Sequence, residues 1–246
     1  MYYPILFHIG KLNFYTHGLL MVIGAILGGI ILYKLAKKTG EKTDFIFDLV
    51  IYTLVGGLVG ARLFYLILYY NQFNGLRDML YIWNGGLVSY GGMIGGLVVA
   101  YIFVRAKKEN IYTWFDLGAI GLFAGWALGR IGCFLANDSW GNSSASFLSI
   151  GGRLPVTLFE SIWSLLIAMG GYCLLRSRDR LKLGQGIVFW AVLGGYAIGR
   201  FVIDVFRMED VFLFGLKSGQ ISSILVIIIA VLNIYFLRKK GGSNGN

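Results

Sequence analysis

Seven long runs of uncharged, apolar residues recur from one end of this chain to the other, and no other feature constrains its folding as much. A helix needs roughly 20 such residues to cross a hydrocarbon core, and in lipid each backbone amide must find its partner within the helix. The runs lie at 17–36, 45–70, 85–104, 114–136, 155–176, 185–206 and 218–237. They predict an all-α, polytopic membrane protein with seven transmembrane helices. Composition agrees: 57% of the 246 residues are hydrophobic and 14% are charged, against about 25% charged in soluble domains. A water-soluble monomer is excluded. The residues before the first run hold a single lysine and no small-residue cleavage site, so that run reads as a retained helix. We expect one seven-helix domain over 1–240 and a flexible tail over 241–246.

The basic residues set the expected orientation, because Lys and Arg accumulate on the cytoplasmic side. Lys34, Lys37, Lys38, Lys42, Arg105, Lys107, Lys108, Arg176, Arg178, Arg180, Lys182, Arg238, Lys239 and Lys240 fall in or beside the segments of one side, and Lys11, Arg77, Arg153, Arg207 and Lys217 in those of the other. This puts the N-terminus outside and the C-terminus in the cytoplasm. The net charge of +10 is then mainly a topology signal attracted to anionic lipid. Split among short loops, it does not form a nucleic-acid surface, and no nucleic-acid partner is expected. The two cysteines have no CxxC or histidine spacing, so neither a disulfide scaffold nor a metal site is expected. No nucleotide motif is visible, and no cofactor is expected.

Three basic residues remain inside the runs: Arg62, Arg130 and Arg200. At a rise of about 1.5 Å per residue, each lies roughly 22–26 Å from the inner end of an outward-running helix, in the outer third of the core. An arginine at that depth is costly and usually faces a cavity or a partner. Other polar residues share the level. His17 and Tyr90 begin inward-running helices, Asn137 and Asp138 end the fourth, Glu160 sits early in the fifth, and Asp204 follows Arg200 by one turn. Asp48 and Asp116 mark the inner ends without a comparable group around them. The pattern implies one polar cavity open to the outer leaflet. A guanidinium is a planar fork of donors that matches a phosphate and stays charged, so a phospholipid headgroup is the expected occupant. Snorkelling to the interface explains one arginine well and three at one depth poorly.

Glycines gather in small-residue spacings that let helices approach: Gly24 with Gly28, Gly56–Gly57 with Gly60, Gly91–Gly92 with Gly95–Gly96, Gly121 through Gly125 and Gly129 to Gly132, and Gly194–Gly195 with Gly199. Gly91, Gly92, Gly129 and Gly132 flank the polar candidates and are expected to leave room for a headgroup.

The stretch Gly129-Arg130-Ile131-Gly132-Cys133-Phe134-Leu135-Ala136-Asn137-Asp138-Ser139-Trp140-Gly141 resembles the signature of the prolipoprotein diacylglyceryl transferase family. Four further blocks occur in the family's order: His17-Gly18-Leu19-Leu20, Trp83 to Gly92, Pro155 to Glu160, and Gly195-Tyr196 with Arg200, Asp204 and Arg207. The resemblance runs along nearly the whole chain. It implies seven helices with the N-terminus outside, in the bacterial cytoplasmic (inner) membrane, and a site toward the outer leaflet. The implied reaction moves the diacylglyceryl group of phosphatidylglycerol to the lipobox cysteine thiol of a prolipoprotein signal peptide, releasing glycerol 1-phosphate. Arg130 matches the phosphatidylglycerol-binding arginine and Arg200 a second functional arginine. Cations on the departing phosphate would be electrostatic catalysts. Tyr90 falls where members carry histidine or tyrosine and is expected to position or deprotonate the thiol, because thiolate is the nucleophile. Arg62, His17, Gly91, Gly92, Asn137, Asp138, Glu160 and Asp204 complete the expected substrate-binding set.

The chain also departs from that family. Cys133 stands at a common asparagine, His17 at a usual tyrosine, Ala136 at an asparagine, Thr157 at a glutamine, Asp138 at a glutamate of some members, and Asp204 at the usual glutamate. Asp204 is expected to orient Arg200, and Cys133 to be a small buried thiol. Two other classes compete with the transferase: a catalytically impaired paralogue that binds phospholipid, and a transporter for an anionic substrate. The sequence has no inverted repeat or paired broken helices of the kind transporters use.

Overall fold

The computed structural model describes residues 5–9, 12–72 and 86–243. Trp83, Asn84 and Gly85 of one motif block, Arg77 and Lys11 lie outside the described residues. Seven helices follow: α1 (Thr16–Thr39), α2 (Ile46–Leu68), α3 (Ser89–Ala106), α4 (Ile111–Leu135), α5 (Val156–Arg176), α6 (Ile187–Val205) and α7 (Ser218–Ser243). All seven are long and apolar enough to cross a membrane. Their outward faces agree, with Ile67, Met169, Leu225 and Val231 among the large side chains more than half exposed. The third helix starts at Ser89 and not near 85, because Gly86 adopts φ +81° and the chain through Val88 is extended. The last helix runs to Ser243, three residues into the segment expected as a tail.

One element was absent from the sequence reading. Ahead of α1, strands β1 (Ile5–Ile9) and β2 (Leu12–Tyr15) pair antiparallel, with Ile9 opposite Leu12 and Ile5 opposite Tyr15. The strands are short and rich in Ile, Phe and Tyr, the residue types that suit a pleated strand, and a Gly-Lys pair separates them.

The chain divides into two compact units, residues 1–39 with 115–246, and residues 40–114. In the first unit α1 and α4 cross backbone to backbone. A Cβ on Gly28 would lie 2.8 Å from the Gly121 carbonyl oxygen, and Gly24 and Gly125 face each other just as closely. In lipid the gain comes from van der Waals packing rather than from apolar burial, so small residues set the helix spacing. The ladder continues outward: Gly129 meets Met21, and Gly132 meets Leu20 and His17. Ser161 donates from α5 to the Ala127 carbonyl of α4 at 2.9 Å, and Trp163 donates to Gly195 of α6 at 3.1 Å, over the bare Gly199. The buried core of this unit includes Leu117, Ile120, Phe123, Ala168, Val188 and Val192.

At the opposite end of this unit Asp116, fully buried, accepts hydrogen bonds from the Gly186 and Phe189 amides at 2.8 and 2.7 Å and pairs with Arg178 at 3.3 Å. It thereby satisfies the orphan donors at the start of α6, which has no side-chain cap of its own.

The second unit is the pair α2 and α3. Gly60 packs on Gly91 and Gly95, Gly57 on Gly92, and Gly96 on Thr53. Phe45, Phe103 and Trp114 stack beyond one end of the pair, with ring centroids 6.1 and 4.7 Å apart. Lys42 pairs with Glu109 at 2.8 Å.

Candidate active site

The first unit gathers its buried charges around one carboxylate. Glu160 sits in the second turn of α5 and is fully buried. Its Oε1 accepts from Nη1 of Arg200 and from Nη2 of Arg207, and its Oε2 lies 2.9 Å from Nε of Arg130. The Arg130 contact is a charge contact, since the N–H is not aimed along the line to the oxygen. Asp204, one turn beyond Arg200 on α6 and also fully buried, takes Nε of Arg200 on one oxygen at 2.9 Å and Nε of Arg207 on the other at 2.7 Å. Lys217, just ahead of α7, donates its ammonium to the carbonyls of Asp204 and Val205 at 2.9 and 3.0 Å, and to that of Arg207. It caps the C-terminal end of α6, where a cation is favoured.

Arg130, Arg200 and Arg207 face the two buried carboxylates, with Glu209 3.6 Å from Arg207 at the rim and the Lys217 ammonium alongside, so that among the described residues four cations against three carboxylates leave a surplus of one positive charge. Burying ions is expensive unless each is paired and hydrogen-bonded, and here the carboxylates carry that burden. The arginines are not equivalent. Arg207 is 2% exposed and donates to both carboxylates, so it braces the cluster from inside. Arg130 and Arg200 keep 15% and 19% of their side chains exposed. Each reaches Glu160 with one nitrogen and keeps part of its side chain accessible, where an anion could bind.

Arg130 is fixed from three sides on α4. Its guanidinium lies 4.9 Å from the Trp126 ring centroid one turn back, its Nη1 donates to Cys133 Sγ at 3.8 Å, and Glu160 faces its Nε. Trp126 in turn donates to the Tyr196 hydroxyl of α6 at 3.0 Å. Cys133 is buried, and its sulfur lies 3.3 Å from Nδ1 of the half-buried His17. Beyond α4, Asn137 adopts φ +62° and accepts from Trp140 at 2.7 Å, and the Asp138 amide donates to the Cys133 carbonyl at 2.9 Å. Asn137, Trp140, Ile150, Gly151 and Arg153 line a cavity of about 310 Å³. The loop pairs back on the end of α6, with Asn142 donating to Phe206 at 2.7 Å and Met208 to Trp140 at 3.0 Å.

The expected residues are therefore distributed as follows. Arg130, Arg200, Glu160 and Asp204 meet directly, with His17 attached through Cys133. Arg62 and Tyr90 belong to the other unit. There Arg62 is buried, donates to the Gly86 carbonyl at 3.0 Å and lies 5.4 Å from the Tyr65 ring centroid. Tyr90 is the second residue of α3 and 46% exposed. Gly91, Gly129 and Gly132 do not leave the room expected of them: the space a side chain would take is filled by Phe64, Met21 and Leu20 with His17, respectively, whereas a Cβ on Gly92 would meet Gly57 and Ala61 only at ordinary contact distance, 3.4 and 3.5 Å.

Arg207, counted among the loop charges, is the third guanidinium at Glu160. Its spacing, three residues after Asp204 and seven after Arg200, would have put it on their face had the helix continued, but the helix ends at Val205 and Arg207 pairs with Gly141 instead.

The prolipoprotein diacylglyceryl transferase family model matches residues 4–236. A Lysinibacillus sphaericus protein named phosphatidylglycerol–prolipoprotein diacylglyceryl transferase is 32% identical over 259 residues, covering 96% of this chain and 93% of the relative. Proteins of the same name from Clostridium botulinum and Streptococcus uberis are 31% and 30% identical, covering 96% and 97% of this chain and 98% and 96% of the relatives. With seven membrane-length helices and matches along its whole length, this chain belongs to the prolipoprotein diacylglyceryl transferase family.

Proposed function

We propose that this protein is a phosphatidylglycerol–prolipoprotein diacylglyceryl transferase. It moves the diacylglyceryl group of phosphatidylglycerol to the lipobox cysteine thiol of prolipoprotein signal peptides and releases glycerol 1-phosphate. The observation that carries the reading is the surplus positive charge at Glu160, presented on the exposed edges of Arg130 and Arg200. Those edges bind the phosphodiester and follow its charge onto the departing phosphate, the electrostatic role expected of fixed donors in a site shielded from water. Arg207 and Asp204 hold Arg200, and Glu160 holds all three arginines.

Arg62, Tyr90, Gly91 and Gly92 enter this reading on the family resemblance alone. Tyr90 positions the incoming thiol. Arg62, Gly91 and Gly92 shape the segment that carries it. Asn137 and Asp138 line the extracytoplasmic approach. The protein works as one seven-helix domain in the bacterial cytoplasmic membrane, N-terminus outside, with its site toward the outer leaflet. That side is favoured by the basic loops, which accumulate opposite it. Membrane lipid surrounds it, and nucleic acid is not a partner.

The test is reconstitution of the purified protein in liposomes containing phosphatidylglycerol with a peptide bearing a lipobox cysteine. Thioether-linked diacylglyceryl peptide and equimolar glycerol 1-phosphate are the expected products. Lipid or peptide binding without either product would identify a non-catalytic relative. Flux of phosphate esters across sealed vesicles without thioether would identify a transporter.

A further inference from the structure

An acceptor thiol must lose its proton before it can attack, and the charged cluster does not supply the acceptor. Glu160 Oε1 and both oxygens of Asp204 accept from guanidiniums, and Glu160 Oε2, fully buried, lies against Nε of Arg130 at 2.9 Å. A carboxylate so engaged is a poor base. The Tyr196 hydroxyl is held by the Trp126 indole, which donates to it at 3.0 Å. Asp138 is an exposed carboxylate in the loop after α4, outside the charged cluster.

His17 differs from all of these. An imidazole titrates near neutrality and is the side chain best matched to proton transfer there. Its Nδ1 lies 3.3 Å from Cys133 Sγ, and that sulfur also receives Nη1 of Arg130 at 3.8 Å. Gly132 makes the approach possible, since a Cβ there would stand 3.2 Å from the His17 Cα. The ring is thus tied by two contacts to the arginine that faces the substrate phosphate in the reading above, yet it stays half-buried rather than enclosed. The charged groups that face it are Arg130 from α4 and Asp138 from the loop after α4.

We propose that His17 accepts the proton of the acceptor thiol, and that Cys133 is the positioning residue that fixes its ring. This assignment rests on the transferase reading. With Nδ1–H donated to the Cys133 sulfur, the Nε2 lone pair is left for the substrate. The substrate S–H bond breaks and its proton passes to Nε2. The sulfur pair then forms the S–C bond to the terminal glyceryl carbon, and the C–O bond to phosphate breaks with its electrons on the phosphate oxygen. The proton leaves His17 to the departing phosphate or to water, so the balance closes with no other reactant.

The experiment compares initial rates of thioether formation by the reconstituted wild type and by His17→Gln between pH 7 and pH 9, with Cys133→Ala and Cys133→Ser alongside. Loss of a general base is expected to slow His17→Gln about 100-fold or more at pH 7. The variant should then gain about 25-fold toward pH 9, as the substrate thiol with its pKa near 8.5 ionises unaided. The wild-type profile should rise much less. Cys133→Ala should fall about tenfold below Cys133→Ser, whose hydroxyl still accepts from Nδ1. A His17→Gln rate within about threefold of wild type at pH 7, or a deficit of constant size across the range, would overturn the assignment while leaving the transferase standing. Should His17→Gln fail to fold, equal rates for the two Cys133 variants would overturn it. No product from the wild type would sink both readings together.

Discussion

Replacing Glu160 by glutamine tests the charge arrangement at its centre. The change keeps the size of the side chain and removes one negative charge that three guanidiniums share. Arg130, Arg200 and Arg207 would then surround a neutral amide, with Asp204 the one buried carboxylate left among the described residues and Glu209 at the exposed rim. The surplus rises from one positive charge to two in a fully buried position. Breaking a buried ion pair by removing one partner costs about 3–5 kcal/mol, because the other partner stays buried and uncompensated. Here three partners lose their counter-charge, so the upper part of that range applies. For a chain of this size 1 kcal/mol shifts Tm by roughly 2–4 °C in soluble proteins, which puts the expected fall at about 10–20 °C. The measurement is thermal unfolding of the purified protein in detergent. Added phosphatidylglycerol should recover part of the loss, because an anion at the exposed arginine edges replaces some of the missing charge. A Tm within about 2 °C of wild type, unmoved by the lipid, would refute the placement of Glu160 as the common counter-ion.

Other substitutions separate the parts of this arrangement. Arg130→Lys keeps the charge but loses the fork and the Trp126 stacking; loss of one charge-assisted bond, about 1.5–3 kcal/mol, predicts transfer rates roughly 10- to 150-fold lower, and near-normal turnover would exclude phosphate recognition there. Arg207→Gln removes the surplus charge without touching the exposed edges. A unit charge about 8–10 Å away is worth roughly 2 kcal/mol at an effective dielectric of 20, so the KM for phosphatidylglycerol should rise roughly tenfold or more, measured by varying the lipid fraction of the vesicles. Gly125→Val would drive a side chain into the Gly24 backbone and should lower both yield of folded protein and Tm, whereas Gly118→Ala, which meets nothing within 4 Å, should do neither. Asp116→Ala leaves the Gly186 and Phe189 amides without their acceptor and takes the counter-charge from Arg178, and should cost about 2 kcal/mol or more of stability, while turnover per folded molecule stays within twofold.

The apolar runs made the seven helices legible because in a membrane length and hydropathy are themselves the structural constraint. Their ends were less so: α3 begins late because Gly86 turns the chain with a positive φ, a conformational fact with no hydropathy signature. The N-terminal hairpin escaped because strands of five and four residues are too short to register beside a 24-residue helix. Depth counting placed Arg62, Arg130 and Arg200 at one level with His17, Tyr90, Asn137, Asp138, Glu160 and Asp204; of these Arg130, Arg200, Glu160 and Asp204 meet, while Arg62 and Tyr90 belong to the other unit. It failed for Arg207, which follows the end of α6 and looked like a loop charge. What brings it inside is a fold in the chain, with Lys217 drawing the carbonyls at the end of α6 together and residues 140–142 pairing alongside. The glycines mattered differently from expectation. Spacing alone showed that they let something approach, and only coordinates distinguish a neighbouring helix from a ligand.

A positive site for a phosphate could have been made of arginines alone, so the presence of two buried carboxylates needs a reason. Three guanidiniums confined in a low dielectric would repel one another and lose their hydration, a cost of several kcal/mol per ion. Glu160 and Asp204 offset most of that and also fix direction, because their oxygens take specific nitrogens of Arg200 on α6 and of Arg207 just beyond its end. What remains is a small surplus aimed outward through Arg130 and Arg200. Its effect changes along the reaction. The bound phosphodiester carries one negative charge, whereas the phosphate monoester that departs carries up to two. A fixed positive surplus therefore interacts more strongly with the state in which the C–O bond is breaking than with the bound lipid, which is the condition for lowering a barrier rather than merely tightening binding. The same logic explains why these carboxylates are unsuited to proton transfer: a base must be free to change its charge, and Glu160 and Asp204 hold the cluster together only while they stay ionised.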